Sequence, residues 1–223
     1  MIRLLVLDVD GTMTDGGVYY DSTGNELKKF AIKDGAGIVL ARAAGMQVMI
    51  CTGRECEAVR RRAQDLHIDY LFQNVHDKAA FLSRFMAEHS LTKQDVAYCG
   101  DDLNDLTAMA LCGFVACPAD AAGPVLGRAD FICRAKGGEG AVRGTVEEIL
   151  LLTHTFLTGC EDVRRMDTTE KVEQFESFLQ EQVKYRMILL RRISGGSAEE
   201  YRELNRVYAR EMEMLEKKEG ENH

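Results

Sequence analysis

The chain has 223 residues, 46% of them hydrophobic and 29% charged, with a formal net charge of -8 at pH 7. That length holds one sizeable core with an appendage, or two small domains, and the composition is that of a soluble globular protein. The acidic balance argues against a general nucleic-acid surface or an anionic membrane as partner, so an anionic substrate needs local positive charge from a metal and a few Lys or Arg.

Residues 2–7 have the length and branched-residue content of a buried parallel strand, delivering Asp8-Val9-Asp10-Gly11-Thr12 at its carboxyl end. Open α/β sheets bind ligands there. The two carboxylates are expected to aim in different directions, so one can attack an electrophile while the other handles a proton. A β-hairpin is expected over about 17–29, around the turn cluster Asp21-Ser22-Thr23-Gly24-Asn25. Next come a helix over about 35–44 with Gly45 as left-handed cap, and a strand Gln47–Cys51 ending at Thr52-Gly53-Arg54. The pattern continues with a helix over 54–66, a strand Tyr70–Phe72, a helix over 78–89, and a strand Val96–Cys99 ending in Gly100-Asp101-Asp102. After residues 103–111, further short strands are expected at 114–116 and 131–133. This alternation predicts an α/β fold, a doubly wound parallel sheet with helices on both faces. Every polar motif falls just after a strand.

Beyond about Thr158 glycine nearly vanishes, and Phe175, Leu179, Val183, Met187 and Leu190 recur at helical spacing among charged residues. Ser194-Gly195-Gly196-Ser197 interrupts the stripe, and Tyr201, Leu204, Tyr208, Met212 and Leu215 resume it. The expected organisation is a core over 1–159 and a helical hairpin extension over 160–223. Seven cysteines without paired metal-ligand spacing, and no secretory signal, point to reduced thiols and a cytoplasmic protein. Cys51, Cys99 and Cys133 lie in strand-like runs as small hydrophobes. No run reaches the ~18 apolar residues of a membrane span. His67, His76, His89 and His154 share no ligand spacing and read as surface or structural residues.

Four clusters remain: Asp8-x-Asp10, Thr52-Gly53-Arg54, Lys78 at a helix start, and Gly100-Asp101-Asp102-Leu103-Asn104-Asp105. In this order they resemble the haloacid dehalogenase superfamily of phosphohydrolases, over roughly the first 150 residues. Phosphoryl transfer needs an in-line nucleophile, neutralisation of the phosphoryl oxygens and a proton donor for the leaving alcohol. Asp8 fits as the nucleophile that forms an aspartyl-phosphate, and Asp10 as general acid and then base. Thr52 and the N–H groups near Gly53, at an expected helix N-terminus, fit the phosphoryl oxygens, and Lys78 supplies a point charge. Asp101 completes a Mg²⁺ site with Asp8 and, by the resemblance, the main-chain carbonyl of Asp10. Hard oxygen ligands suit Mg²⁺, and nothing offers zinc a thiolate or imidazole set. Asp102 and Asp105 read as orienting waters or neighbouring backbone.

No interval between the motifs is long enough for a large cap. The segments Asp8–Gly17, Tyr19-Tyr20-Asp21, Gly24-Asn25-Glu26, Lys33-Asp34-Gly35 and 137–143 are similar to the capless branch of 3-deoxy-D-manno-octulosonate 8-phosphate (KDO 8-phosphate) phosphatases and nonulosonate 9-phosphate phosphatases. That resemblance implies a homotetramer with the hairpins at its centre, each site capped by a neighbouring subunit, and an acidic 2-keto sugar phosphate as substrate. Its carboxylate needs a cation, for which Arg54 is the first candidate and Arg62 and Arg143 are further ones. Arg54 favours the octulosonate. A nine-carbon acid, or a binding module that has lost catalysis, are the alternatives. The extension departs from the branch, whose members commonly end soon after the segment matching 137–143.

Overall fold

In a computed structural model the described residues are 2–153. The stripes assigned to a helical hairpin, with His154 and Cys160, lie outside them. The elements in chain order are β1 (Leu4–Leu7), β2 (Tyr19–Tyr20), β3 (Glu26–Leu27), α1 (Ile32–Ala43), β4 (Gln47–Cys51), α2 (Glu57–Asp65) and β5 (Tyr70–Phe72). They continue with α3 (Lys78–Glu88), β6 (Val96–Cys99), α4 (Leu106–Met109), β7 (Phe114–Cys117), α5 (Gly123–Leu126), β8 (Phe131–Ile132) and α6 (Ala141–Thr153). Six strands form one parallel sheet in the order β5-β4-β1-β6-β7-β8. The chain runs from β1 out to β4 and β5, then returns to β6 on the other side of β1. This reversal puts a ligand crevice at the carboxyl end of β1. Register sharpens that placement: Leu7 lies opposite both Ile50 and Cys99, so the loops after three strands leave the sheet close together.

All four residues of β1 are fully buried, as expected of a central parallel strand with both faces covered. Leu4, Val6, Met49 and Tyr98 join the core with Leu82 and Phe85 of α3 and Ala108 and Met109 of α4. Cys99, registered with Leu7, belongs to the other face, where it meets Thr145 of α6, which packs on α1. Strand alternation thus assigns α3 and α4 to one side and α1 and α6 to the other.

Several expected boundaries move, each for a local reason. The helix expected at 35 begins at Ile32, after Ala31 in an extended conformation. It ends as expected: Gly45 has φ 84°, its N–H donates to Arg42 O, and Met46 N–H donates to Ala41 O, a Schellman closure. The helix expected from Arg54 begins only at Glu57, because Cys56 is extended and its N–H is taken by the Gln73 side chain at 2.9 Å. Asp77 caps α3 through the Ala80 N–H at 2.9 Å. The hairpin is confirmed with very short strands, its turn tied by Asp21 accepting from Thr23 and Asn25. The sequence reading missed α5 and α6. The N-terminus of α6 is anchored by Asp34 of α1, which accepts from Gly140 N at 3.2 Å and Arg143 N at 2.9 Å.

The six described cysteines are free and buried, as expected of packed thiols. No helix among the described residues is long and apolar enough to cross a membrane.

Candidate active site

Strand parity aims Asp8 at its partners. Residues 4 and 6 face the α3/α4 side, and residue 8 follows them as the chain leaves the sheet. There Lys78, the first residue of α3, places Nζ 2.9 Å from Asp8 Oδ1 and 2.7 Å from Asp105 Oδ1. The chain then turns sharply, with the N–H groups of Thr12, Met13 and Thr14 all donating to Val9 O. Gly11, at φ 84°, is required in this turn: a Cβ there would lie 2.0 Å from Asp101 Oδ2. The close approach lets Thr12 Oγ1 donate to Asp101 Oδ1 at 2.9 Å.

Carboxylate oxygens of Asp8, Asp101 and Asp105 all lie within 4.8 Å of one another. Burial, and then the Asp105 charge, push the Asp8 carboxyl up to about 7 despite the Lys78 ammonium beside it. Burial likewise lifts Asp101 to about 6, against the Thr12 hydrogen bond that lowers it. Burial opposes the Lys78 charge, but Asp8 and Asp105 hold its pKa above the usual lysine value.

With all three carboxylates ionised and one ammonium beside them, two negative charges remain in a largely buried set of oxygen ligands, which fits a divalent hard cation. The hydrogen bonds decide which carboxylates are available to it. Asp105 Oδ1 accepts from Lys78 and from Tyr98 OH at 2.7 Å, and Oδ2 accepts from the N–H groups of Asp101 at 3.1 Å and Asp102 at 3.3 Å. All four of its acceptor positions are used, so Asp105 belongs to the scaffold rather than to the ligand set. Asp8 and Asp101 keep free lone pairs. Asp102 caps the 3-10 turn before α4 through the Leu103 N–H at 2.8 Å.

Asp10 points elsewhere: alternation would set it on the same side as Asp8, but the chain leaves the strand after Leu7 and turns on Val9 O. Its carboxylate pairs with Lys28, which follows β3, and Lys28 also reaches Glu26 at 2.7 Å. Glu26 in turn accepts from Arg54 at 2.7 Å. Thr52 is buried at the end of β4, and its hydroxyl makes no hydrogen bond to another described residue, which leaves it free for a ligand. Gly53 lies in the turn before α2, not at a helix N-terminus, and a Cβ there would meet only Val75 O at 3.7 Å.

The structure therefore brings Asp8, Lys78 and Asp101 into one cluster, with Asp10 and Arg54 joined by a second. The other two arginines are built into the framework. Arg62 stacks over Phe30 at 5.7 Å and donates to Ala31 O at 3.1 Å. Arg143 pairs with Glu147, and its backbone packs so closely on Gly37 that a Cβ there would lie 2.8 Å from the Arg143 Cα. Sequence reasoning passed over Lys28 and Tyr98, and took Glu26 only as part of a segment similar to the branch. Nothing local separates Lys28, whose side chain is 1% exposed, from Lys29, whose side chain is 57% exposed. Tyr98 did carry a signal, a phenol in an apolar strand, since a buried hydroxyl needs a partner.

No protein-family model matches the chain. It is 40% identical over 150 residues to the 3-deoxy-D-manno-octulosonate 8-phosphate phosphatase of Escherichia coli, covering 67% of this chain and 80% of that protein. The enzyme of the same name from Yersinia pestis is 41% identical over the same shares. Among solved structures, the Moraxella catarrhalis enzyme in complex with magnesium, phosphate and KDO superposes with a TM-score of 0.70 at 34% identity, covering 73% of this chain and 93% of that one. The cobalt-bound Haemophilus influenzae enzyme gives 0.66 at 35% identity, covering 70% and 91%. With the acidic crevice at the end of β1 and no cap domain among the described elements, these relationships establish that the chain belongs to the 3-deoxy-D-manno-octulosonate 8-phosphate phosphatase family, in the haloacid dehalogenase superfamily.

Proposed function

We propose that this chain is a Mg²⁺-dependent phosphomonoesterase that hydrolyses KDO 8-phosphate through an aspartyl-phosphate on Asp8. The observation that carries the reading is the buried Asp8–Lys78–Asp105 chain beside Asp101, at the carboxyl edge of the central strand. When bound, Mg²⁺ is held by Asp8, Asp101 and the main-chain carbonyl of Asp10, and it offsets the charge of the phosphoryl oxygens. Lys78 keeps the Asp8 carboxylate oriented toward phosphorus while Asp105 fixes Lys78 from behind. Thr52 donates its hydroxyl to a phosphoryl oxygen, and Gly53 contributes its N–H from the turn.

In the first step an Asp8 oxygen forms a bond to phosphorus as the bond to the sugar oxygen breaks, and the Asp10 carboxyl gives that oxygen its proton. In the second, the Asp10 carboxylate takes a proton from water as the water oxygen bonds to phosphorus. The bond to Asp8 breaks, releasing inorganic phosphate and restoring both carboxyl groups. Arg54, 44% exposed and tied to Glu26 through one nitrogen, keeps other donors for the carboxylate of the sugar acid. Arg62 and Arg143 act through the framework. Exposed Tyr19, Tyr20 and Leu27 on the hairpin support its use as the centre of a homotetramer in which a neighbour completes each site. The enzyme works in the cytoplasm, and residues 160–223 serve assembly or capping.

The test is Mg²⁺-dependent phosphate release from KDO 8-phosphate and from a nine-carbon 2-keto acid 9-phosphate, by wild type and Asp8→Asn. Turnover of the octulosonate ester, absent in Asp8→Asn and in EDTA, is expected. Preference for the nine-carbon ester would reassign the substrate. Activity in Asp8→Asn, with deamidation excluded, would overturn the nucleophile.

A further inference from the structure

The residue pairing with the proposed general acid comes from the hairpin, not from the sheet that carries the rest of the site. Lys28 follows directly on β3, and its ammonium bridges Asp10 and Glu26. Its side chain is 1% exposed, whereas the Asp10 carboxylate it holds is 27% exposed, so one end of the pair is buried and the other faces the crevice. Glu26 is held in turn: it also accepts from Arg54, and its main-chain carbonyl lies 3.8 Å from Cys56 Sγ at the start of α2. The hairpin is thus docked on the phosphate-turn side of the site. Buried to that extent and ion-paired to both carboxylates, Lys28 is closed off from substrate. Its contribution acts through Asp10.

We propose that Lys28 is a positioning residue for proton transfer: it holds the Asp10 carboxyl at the leaving oxygen and away from the Asp8–Asp101 cluster, so that the hairpin completes the catalytic geometry of its own subunit. The physical case rests on charge and freedom. Asp10 follows a strand end and precedes a glycine at φ 84°, and its carboxylate makes no other hydrogen bond or ion pair among the described residues. Without Lys28 the Asp10 side chain would sample several rotamers, and few of them would place an oxygen within proton-transfer distance of the ester. Glu26 serves as the anchor that keeps the ammonium from following Asp10 toward solvent.

This inference rests on the reading of Asp10 as general acid, and the experiment separates the two. Values of kcat/KM are measured with Mg²⁺-saturated full-length enzyme on aryl phosphates of rising leaving-group basicity, for wild type, Asp10→Asn, Lys28→Met and Lys28→Arg. The slope of log kcat/KM against leaving-group pKa reports protonation of the leaving oxygen, whereas partial unfolding lowers every point equally and leaves the slope alone. The expected result is a shallow slope in wild type, a steep one in Asp10→Asn, a similarly steep one in Lys28→Met and a return toward wild type in Lys28→Arg. For the most basic leaving group the Lys28→Met loss is expected to reach ~10²-fold, within the range of general acid catalysis. A steep Asp10→Asn with an unchanged Lys28→Met slope would overturn the role of Lys28 while sparing Asp10. An unchanged Asp10→Asn slope would overturn both. If Lys28→Met yields no soluble protein, Lys28→Gln takes its place, and an unchanged slope there refutes the proposal equally.

Discussion

Replacing Asp105 by asparagine changes one oxygen to nitrogen in a side chain that is fully buried. Each carboxylate oxygen accepts from two donors: Lys78 and Tyr98 on one side, the Asp101 and Asp102 N–H groups on the other. An amide offers an acceptor to one pair and an NH₂ to the other. If the NH₂ faces the main chain, two part-buried N–H groups lose their partner. If it faces Lys78, an ammonium meets a donor, and Tyr98 alone can turn to accept. Each unsatisfied buried donor costs roughly 1–3 kcal/mol. Lys78 retains Asp8 at 2.9 Å, which limits the damage. A net loss of ~3 kcal/mol is expected, equivalent to a fall of about 6–12 °C in Tm for a domain of this size. Because the Asp101 loop loosens and Lys78 loses its rear support, kcat/KM should fall ~10–100-fold and half-saturation by Mg²⁺ should rise. Thermal melts and Mg²⁺ titrations of phosphate release measure both. A Tm within about 2 °C of wild type together with kcat/KM within about threefold would refute Asp105 as the hub.

Burial lifts Asp8 to about 7 and Asp101 to about 6, above the usual 3.8, so without metal the folded chain holds more protons than the unfolded one between those values. Stability in EDTA should therefore fall as pH rises from about 4 to 7, and stabilisation by Mg²⁺ should grow over the same window as it displaces those protons; melts that stay parallel with and without Mg²⁺ would refute the site. Arg54→Ala should lower kcat/KM for KDO 8-phosphate by ~10–100-fold more than for a neutral sugar phosphate, since only the former loses a charge-assisted pair; equal losses would assign Arg54 to the phosphate or to Glu26. Deleting residues 161–223 should leave hydrolysis of a small aryl ester measurable while changing assembly mass by light scattering or raising KM for KDO 8-phosphate. Unchanged mass, stability and KM would remove both roles from the extension, and loss of soluble protein would place it in the core.

The strands β1, β4, β5 and β6, the α1 C-cap and the acidic loops were legible because their causes are local: an apolar run of strand length, a glycine where the chain must turn left-handed, carboxylates directly after a strand. The order of the four motifs carried the superfamily, and the residues beside them the branch. Helix α6 was not legible, since its start is hidden among the glycines of 137–140 and its anchor, Asp34, lies 106 residues from Gly140. The start of α2 depended on the Gln73 side chain reaching back to Cys56.

What the sequence by itself determined was which groups the site could use: two carboxylates after the first strand, a threonine after the next, a lysine opening a helix and a third acidic loop. Only the tertiary structure decided what each does there. Asp101 and Asp105 are four residues apart with the same functional group, yet one is left open to a cation and the other is saturated by Lys78, Tyr98 and two main-chain donors. Lys28 and Lys29 are adjacent, yet one is buried between two carboxylates and the other is solvated. The physical reason is the same in both pairs. A residue's type fixes the chemistry it offers, while its partners, its burial and the direction of its side chain come from segments distant in the chain that folding brings together.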